Sequence, residues 1–106
     1  MKITAIEPIM CNSGIGGRDW LFVKVTTDED IVGWGEGYDW HAAPALAKAI
    51  QVVGRDLIGE DPRRIDWISR RLWESGRAGV PERMKVIAAL EIALYDIKGK
   101  WLGVPV

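Results

Sequence analysis

The sequence predicts an α+β fold, in which a three-stranded antiparallel meander is followed by a helical bundle. Two observations lead to this prediction. Three short segments of the first 36 residues read as β-strands from their β-branched residues, and the first of them also alternates with the period of a strand. From residue 44 onwards apolar residues recur at steps of three and four, which is the period of an α-helix. Strands that precede the helices, rather than alternating with them, indicate helices packed against one face of the sheet.

The three strands are predicted from their β-branched residues and from the turns between them. The first begins at Ile3 and ends near Met10. The glycine-rich stretch Cys11–Asp19 then predicts a flexible loop. Trp20–Thr26 and Ile31–Glu36 are the second and third strands, and the turn between them is so short that they must be antiparallel neighbours.

Three helices are predicted after the meander. Pro44–Val53 has an apolar face and forms the first. In the second, Asp61 is expected to be the N-cap, with Pro62 at the first helical position. The third and longest opens at Pro81, and Gly99 and Gly103 offer stops near its end.

The longest predicted helix carries one apolar stripe at helical spacing. The stripe consists of Ile87, Leu90, Leu94, Ile97 and Trp101. Asp96 and Lys100 are four residues apart on the opposite, solvent-facing side, so we expect them to form an ion pair. Asp96 is therefore interpreted as a structural residue.

Composition and charge exclude several classes of protein. Hydrophobic residues are 48% of the chain and charged residues 27%, as in a single globular domain. A net charge of −1 gives no electrostatic basis for binding nucleic acid or an anionic membrane. No apolar run approaches the roughly 20 residues of a membrane span. Cys11 is the only cysteine, so no internal disulfide can form and a cytoplasmic location is expected.

Two motifs carry a resemblance to a known family. The pattern Leu-Glu-x-Ala-Leu-x-Asp-Ile-x-Gly-Lys at residues 90–100, followed by Pro105-Val106, resembles the first signature of the mandelate racemase/muconate lactonizing enzyme family of the enolase superfamily. Gly-Trp-Gly-Glu at residues 33–36 resembles the family's third strand. Family members usually have glycine where Asp30 stands, and aspartate tolerates the left-handed conformation that such a turn requires.

The resemblance implies that residues 1–106 are the N-terminal capping domain of a longer enzyme, whose catalytic (β/α) barrel is absent from this chain. In this family the barrel carries the Mg²⁺ ligands and the Lys or His base that removes a proton α to a carboxylate. We therefore expect no catalytic residue and no metal site here, and no turnover by this chain alone. The expected partners are the barrel domain, a small carboxylate substrate and further copies of the parent enzyme.

The resemblance also points to two loops that cover the substrate. The loop Cys11–Asp19 contains Arg18, whose planar guanidinium suits a carboxylate. The alternative is a solvated arginine on a mobile loop.

The second covering loop, residues 37–43, contains Tyr38, Trp40 and His41. Tyr38 and Trp40 either stack on the face of a sugar or seal the mouth of the barrel. His41 either contacts the substrate or satisfies a local hydrogen bond. Together with Arg18, these three residues are the predicted substrate-binding residues.

Three hypotheses about function follow. The first is the capping and specificity domain of a sugar-acid dehydratase, because the Arg-x-Trp at residues 18–20 and the Gly-Trp-Gly-Glu-Gly at residues 33–37 resemble galactonate-dehydratase-like members. The second is the same domain of a racemase or epimerase. The third, from a different class, is a stand-alone binding or assembly module, or an inactive truncation product.

Overall fold

The computed structural model describes residues 1–15, 18–38, 42–74 and 82–106. One antiparallel sheet has the order β1-β2-β3 and consists of β1 (Ile3–Ile15), β2 (Arg18–Thr27) and β3 (Val32–Gly37). The helices are α1 (Ala43–Gly54), α2 (Ile65–Glu74) and α3 (Glu82–Leu102), and a 3₁₀ turn, Arg55–Leu57, follows α1. The predicted α+β meander with following helices is confirmed. No helix in the described part of the chain has the length and apolarity needed to cross a bilayer.

The glycine-rich stretch after Met10 was wrongly predicted as a loop. β1 continues to Ile15, and Cys11 and Asn12 pair with Trp20 and Asp19 across the hairpin. Ladder hydrogen bonds join backbone groups, so they do not require an alternating apolar pattern where both faces of the hairpin are exposed. The irregular composition of this stretch instead coincides with a register shift between Asn12 and Ile15.

The predicted start of α2 is also wrong. Asp61 does not cap the helix, which begins at Ile65. The Asp61 backbone carbonyl accepts a hydrogen bond from the Arg64 N–H at 3.1 Å, and its side chain accepts one from the Arg63 N–H at 2.9 Å. Asp61 therefore closes a separate turn just before the helix, because its short side chain can bond to the backbone two residues on.

The core lies between the sheet and the helices. Alternate residues of β2 are fully buried against it, namely Leu21, Val23 and Val25. They meet Leu46 and Ile50 of α1 and Ile87, Leu90, Leu94 and Ile97 of α3. This confirms the predicted apolar stripe of α3 except at Trp101, which is 46% exposed. The Arg63 guanidinium lies 4.7 Å from the Trp101 ring centroid and shields part of it.

α3 lies directly on β3, because two strand positions have no side chain. A Cβ added at Gly33 would overlap the carbonyl oxygen of Ala93, and one added at Gly35 would overlap that of Ala89. The small Ala89 and Ala93 side chains complete this close backbone approach. The two sequence motifs that carried the resemblance are thus the two sides of one interface.

The end of α3 reverses the chain through a Schellman motif. Gly103 has φ +73°, the left-handed conformation that glycine adopts without strain. The Val104 N–H donates to the Gly99 carbonyl at 2.9 Å, and the Gly103 N–H donates to the Lys100 carbonyl at 3.3 Å. The predicted stop at Gly103 is therefore confirmed, whereas the one at Gly99 is wrong, because α3 continues to Leu102. The last residues lie beside the final turns of α3.

Candidate functional site

The β1–β2 hairpin projects beyond the end of β3 and defines one end of the domain. Leu21 pairs with Gly37, the last residue of β3, whereas β2 begins three residues earlier at Arg18. At about 3.3 Å per residue, the hairpin overhangs β3 by roughly 10 Å. We call residues 11–15 and 18–20 the hairpin arm, and the end of the sheet that it extends the loop end.

A local turn shapes the tip of the hairpin arm. The Asn12 side-chain oxygen accepts a hydrogen bond from the Gly14 N–H at 2.8 Å. Gly14 has φ +81°, which a residue with a side chain rarely adopts. Residues 12–14 therefore form a local bend within the paired part of the hairpin.

The structure brings two of the four predicted substrate-binding residues to the loop end. Arg18 is placed there by its backbone, which pairs with Ile15 in the hairpin arm. Tyr38 directly follows β3, and its side chain is 61% exposed. The other two, Trp40 and His41, lie outside the described residues, so their role stays a prediction.

Trp20 is a further aromatic residue at this end that the sequence interpretation did not select. It lies on the hairpin arm, is half exposed, and stacks on Phe22 with ring centroids 6.4 Å apart. Both residues lie on the outer face of the sheet, opposite the buried Leu21 and Val23. The Arg-x-Trp pattern at residues 18–20 already included Trp20. The prediction ended the covering loop at Asp19, however, and assigned Trp20 to the second strand.

An open groove of about 480 Å³ lies between β1 and α1. Its apolar lining includes Ile6, Met10 and Pro44, and its charged residues are Glu7 and Lys48. The Lys48 ammonium lies 3.4 Å from the Gln51 side-chain oxygen. One carboxylate and one ammonium give the groove no net charge that would favour an anionic substrate.

The signature residues Asp96 and Lys100 act on the edge of the sheet. The Asp96 carboxylate accepts a hydrogen bond from the Trp34 N–H at 2.9 Å and pairs with the Lys100 ammonium at 3.0 Å. Lys100 also donates to the Val32 carbonyl at 2.6 Å. These contacts satisfy backbone groups that an edge strand would otherwise leave unpaired. The predicted ion pair and the structural role of Asp96 are confirmed.

The other signature carboxylate points to a different partner. Glu91 accepts a hydrogen bond from the Ser69 hydroxyl of α2 at 2.5 Å, so it does not converge with Asp96. Within the described ranges, no three His, Cys, Asp or Glu side chains come together as a group that could hold a metal ion. The described residues of this chain therefore offer no ligand set that fits Mg²⁺, which takes near-octahedral oxygen ligation.

Comparisons with known proteins agree with this architecture. A sequence model of the mandelate racemase / muconate lactonizing enzyme N-terminal domain matches residues 3–106. D-galactonate dehydratase from Pectobacterium atrosepticum is 47% identical over 88 residues, which are 82% of this chain and 23% of that protein.

Solved structures show the same fold. An enolase from Agrobacterium radiobacter, with bound sodium and L-malate, has a TM-score of 0.88 at 30% identity and covers 99% of this chain and 26% of its own. The 3,6-anhydro-D-galactonate cycloisomerase from Zobellia galactanivorans has a TM-score of 0.86 at 30% identity, over 96% of this chain and 29% of its own.

These findings define the class of the protein as an enolase-superfamily domain. The chain belongs to the mandelate racemase/muconate lactonizing enzyme family and corresponds to its N-terminal domain. It spans 23% of the length of the first curated relatives that it matches, so these relatives contain a further, larger C-terminal part.

Proposed function

We propose that this domain covers the substrate side of the catalytic domain of a sugar-acid dehydratase and helps to set its substrate specificity. The observation that carries the proposal is the loop end: the hairpin arm overhangs β3 where Tyr38 follows it, and Trp20 and Tyr38 are 50% and 61% exposed. Similarity to D-galactonate dehydratases supports the reaction class. The runner-up reaction is racemisation or epimerisation of a related acid.

The proposal divides the work between this domain and the rest of the polypeptide. Arg18, Tyr38, Trp40 and His41 bind and orient the substrate and exclude water. The proton acceptor and the Mg²⁺ ligands belong to the C-terminal part, since the described residues here show no fitting group. In dehydration, the proton α to the carboxylate is removed and the β-hydroxyl leaves as water, after which the enol becomes a 2-keto acid. Mg²⁺ would supply charge stabilisation for the enediolate.

Arg18 has a specific task in this proposal. Its guanidinium would form a charge-assisted, bidentate contact with a substrate carboxylate, which lysine cannot reproduce as a planar fork. The hairpin arm positions the Arg18 backbone through its pairing with Ile15. Binding contacts of this kind lower KM, and they raise kcat where they tighten in the transition state.

The test uses the full polypeptide that contains this chain. We expect it to convert D-galactonate to a 2-keto acid, followed by a colorimetric keto-acid assay. Arg18→Gln should lower kcat/KM by about tenfold or more, because one charged contact is worth roughly 1.5–3 kcal/mol. The matched control is Arg70→Gln, since Arg70 is an exposed arginine on α2, which contributes no residue to the hairpin arm or to β3.

Each alternative has its own result. Exchange of the α-proton with deuterium, without formation of a keto acid, would favour the racemase or epimerase. Equal kcat/KM values for Arg18→Gln and Arg70→Gln would contradict a substrate-binding role for Arg18. A polypeptide that transforms no sugar acid or hydroxy acid would favour the stand-alone binding module.

A further inference from the structure

The hairpin arm extends a three-stranded sheet but has only two strands of its own. β3 ends opposite Leu21, so from Cys11 and Trp20 outwards β1 and β2 pair only with each other. The arm side chains that the structure describes are all exposed, so none of them is anchored in the core. A two-stranded hairpin is marginally stable in water, and a two-stranded ribbon twists more than a wider sheet. A further contact is therefore needed to fix the direction in which the arm leaves the sheet.

The Trp20 side chain supplies a contact of this kind. Its ring lies nearly parallel to that of Phe22, with an interplanar angle of 14° and a centroid distance of 6.4 Å. Aromatic rings attract each other at centroid separations of about 4.5–7 Å. The two residues are two positions apart on β2 and therefore share the outer face of the sheet.

Phe22 is the fixed member of this aromatic pair. It lies in the middle strand, opposite Ile9 of β1 and Glu36 of β3, so its strand is paired on both sides. Its side chain is half-buried, whereas that of Trp20 is 50% exposed. The stack thus joins the three-stranded part of the sheet to the first residue pair of the arm. Trp20 does not belong to the core, so its replacement should leave the fold intact.

Arg18 lies on the same strand as the aromatic pair, farther out along the arm. Its backbone pairs with Ile15, so a change in the direction of the arm moves Arg18 with it. Four residues of strand separate Arg18 from Phe22, and a rotation of about 10° over that length displaces the Arg18 backbone by about 2 Å. A bidentate contact between a guanidinium and a carboxylate depends on such geometry.

We infer that Trp20 is a positioning residue, whose stack on Phe22 sets the direction of the hairpin arm and so holds Arg18 in place for the substrate. The contact of Arg18 with a carboxylate rests on the proposed function. The hold on the arm is a property of this domain and is measurable without substrate. The alternative is that the exposed Trp20 ring contacts the substrate itself.

Hydrogen exchange of backbone amides in the full polypeptide, followed by peptide mass spectrometry, tests the hold on the arm. Trp20→Ala should make the arm amides exchange about two- to tenfold faster, the factor that one aromatic pair is worth. Amides of β3 should not change, and Trp20→Phe should restore most of the protection because it keeps a ring. The matched control is Trp34→Ala, since Trp34 is 44% exposed on the same sheet face but lies outside the arm. Unchanged arm exchange in Trp20→Ala, or an equal increase in Trp34→Ala, would overturn the inference.

A double-mutant cycle of kcat/KM on D-galactonate tests the link to Arg18. Trp20→Ala should lower kcat/KM by about two- to tenfold, mainly through KM, because the arm must then be ordered on binding. In an Arg18→Gln background the same change should have little further effect, because no guanidinium is left to position. An equal loss in both backgrounds would show that Trp20 acts on the substrate independently, and it would overturn the positioning role. If Arg18→Gln alone changed nothing, the proposed function and the Arg18 step would both fail, while the exchange experiment would still decide whether Trp20 holds the arm.

Discussion

The side chain of Asp96 is hydrogen-bonded to the backbone N–H of Trp34, 62 residues earlier in the chain, at 2.9 Å. The contact joins the end of the family signature to the edge of the sheet. Lys100 pairs with Asp96 and also donates to the Val32 carbonyl, so both charged residues hold α3 against β3. Conspicuous charged residues in a signature can therefore serve the fold, while the exposed hairpin arm serves the proposed function.

Replacing Asp96 with alanine should destabilise the domain. The change removes an acceptor for the Trp34 N–H and the partner of Lys100, at a cost of about 1–2 kcal/mol in the free energy of unfolding. Urea titration followed by tryptophan fluorescence measures it. Asp96→Asn keeps an oxygen acceptor and should recover part of the loss. Equal stability of Asp96→Ala and the unchanged protein would show that the contact adds nothing.

Gly35→Ala should be far more damaging than its size suggests. The new methyl group would overlap the Ala89 carbonyl oxygen, so α3 must move away from β3, with a cost of about 3 kcal/mol or more. Gly59→Ala is the comparison, because Gly59 has φ +90° but no atom near the added carbon. That change should cost only about 1 kcal/mol of backbone strain. Thermal unfolding of both variants would test this order, and similar losses would refute the steric explanation.

The turn at Asp61 should make stability depend on pH in the acid range. Hydrogen bonds from the Arg63 side chain hold the pKa of Asp61 at about 2, below its usual value near 3.8. Because this pKa is lower in the folded state, the carboxylate stabilises the fold above pH 4 and loses that contribution as the pH falls towards 2.

Asp61→Asn therefore should be less stable than the unchanged protein at pH 6, and the difference should shrink as the pH is lowered to 2. Urea titrations at several pH values measure this convergence. The Arg63 and Asp61 side chains are 31% and 28% exposed, so solvent screening limits the effect to about 1 kcal/mol. A difference that is constant from pH 6 to pH 2 would assign the loss to the turn geometry instead of the charge.

His41 should not act as the acid or base of the longer enzyme. If its role is substrate binding, His41→Asn should raise KM while both limbs of the pH profile of kcat stay in place. Steady-state kinetics between pH 5 and pH 9 would measure this. Loss of one limb in His41→Asn would make His41 a proton-transfer residue and contradict the division of work proposed above.

Tyr38→Ala should change which sugar acid is preferred more than it changes stability, because the side chain is 61% exposed at the loop end. The measurement is the ratio of kcat/KM for D-galactonate and for an epimeric sugar acid. Trp73→Ala, on an exposed position of α2, is the control. An unchanged ratio in Tyr38→Ala would reduce Tyr38 to a covering role.

Local sequence patterns were sufficient for most of the fold. The β-branched segments predicted the three strands, and the periodicity of α3 predicted most of its buried residues, because that pattern reflects side chains that must leave water. The turn at Asp30 was also predictable: its φ of 61° is the left-handed conformation that aspartate tolerates. These features depend on neighbours only a few residues apart.

The features that were mispredicted depend on distant partners. Nothing within Cys11–Asp19 shows that its two halves pair with each other, since the ladder hydrogen bonds join backbone groups and do not depend on the side chains. Likewise, the Asp61 turn and the α2 helix compete for the same residues, and the Arg63 side chain favours the turn by bonding to Asp61 at 2.7 Å. Of the candidate site, the sequence selected Arg18 and Tyr38, but it could not place Trp20 beside them without the hairpin.

The close approach of β3 to α3 also has a consequence for synthesis on the ribosome. Gly35 emerges 54 residues before Ala89, and Gly33 emerges 60 residues before Ala93, the residues that cover them. Until α3 has left the exit tunnel, the nascent sheet has an uncovered apolar face and a bare edge at Trp34. Such intermediates are targets for chaperones and for wrong strand pairing. A pause in translation between residues 37 and 82 would prolong that exposure, whereas rapid translation of this stretch would shorten it.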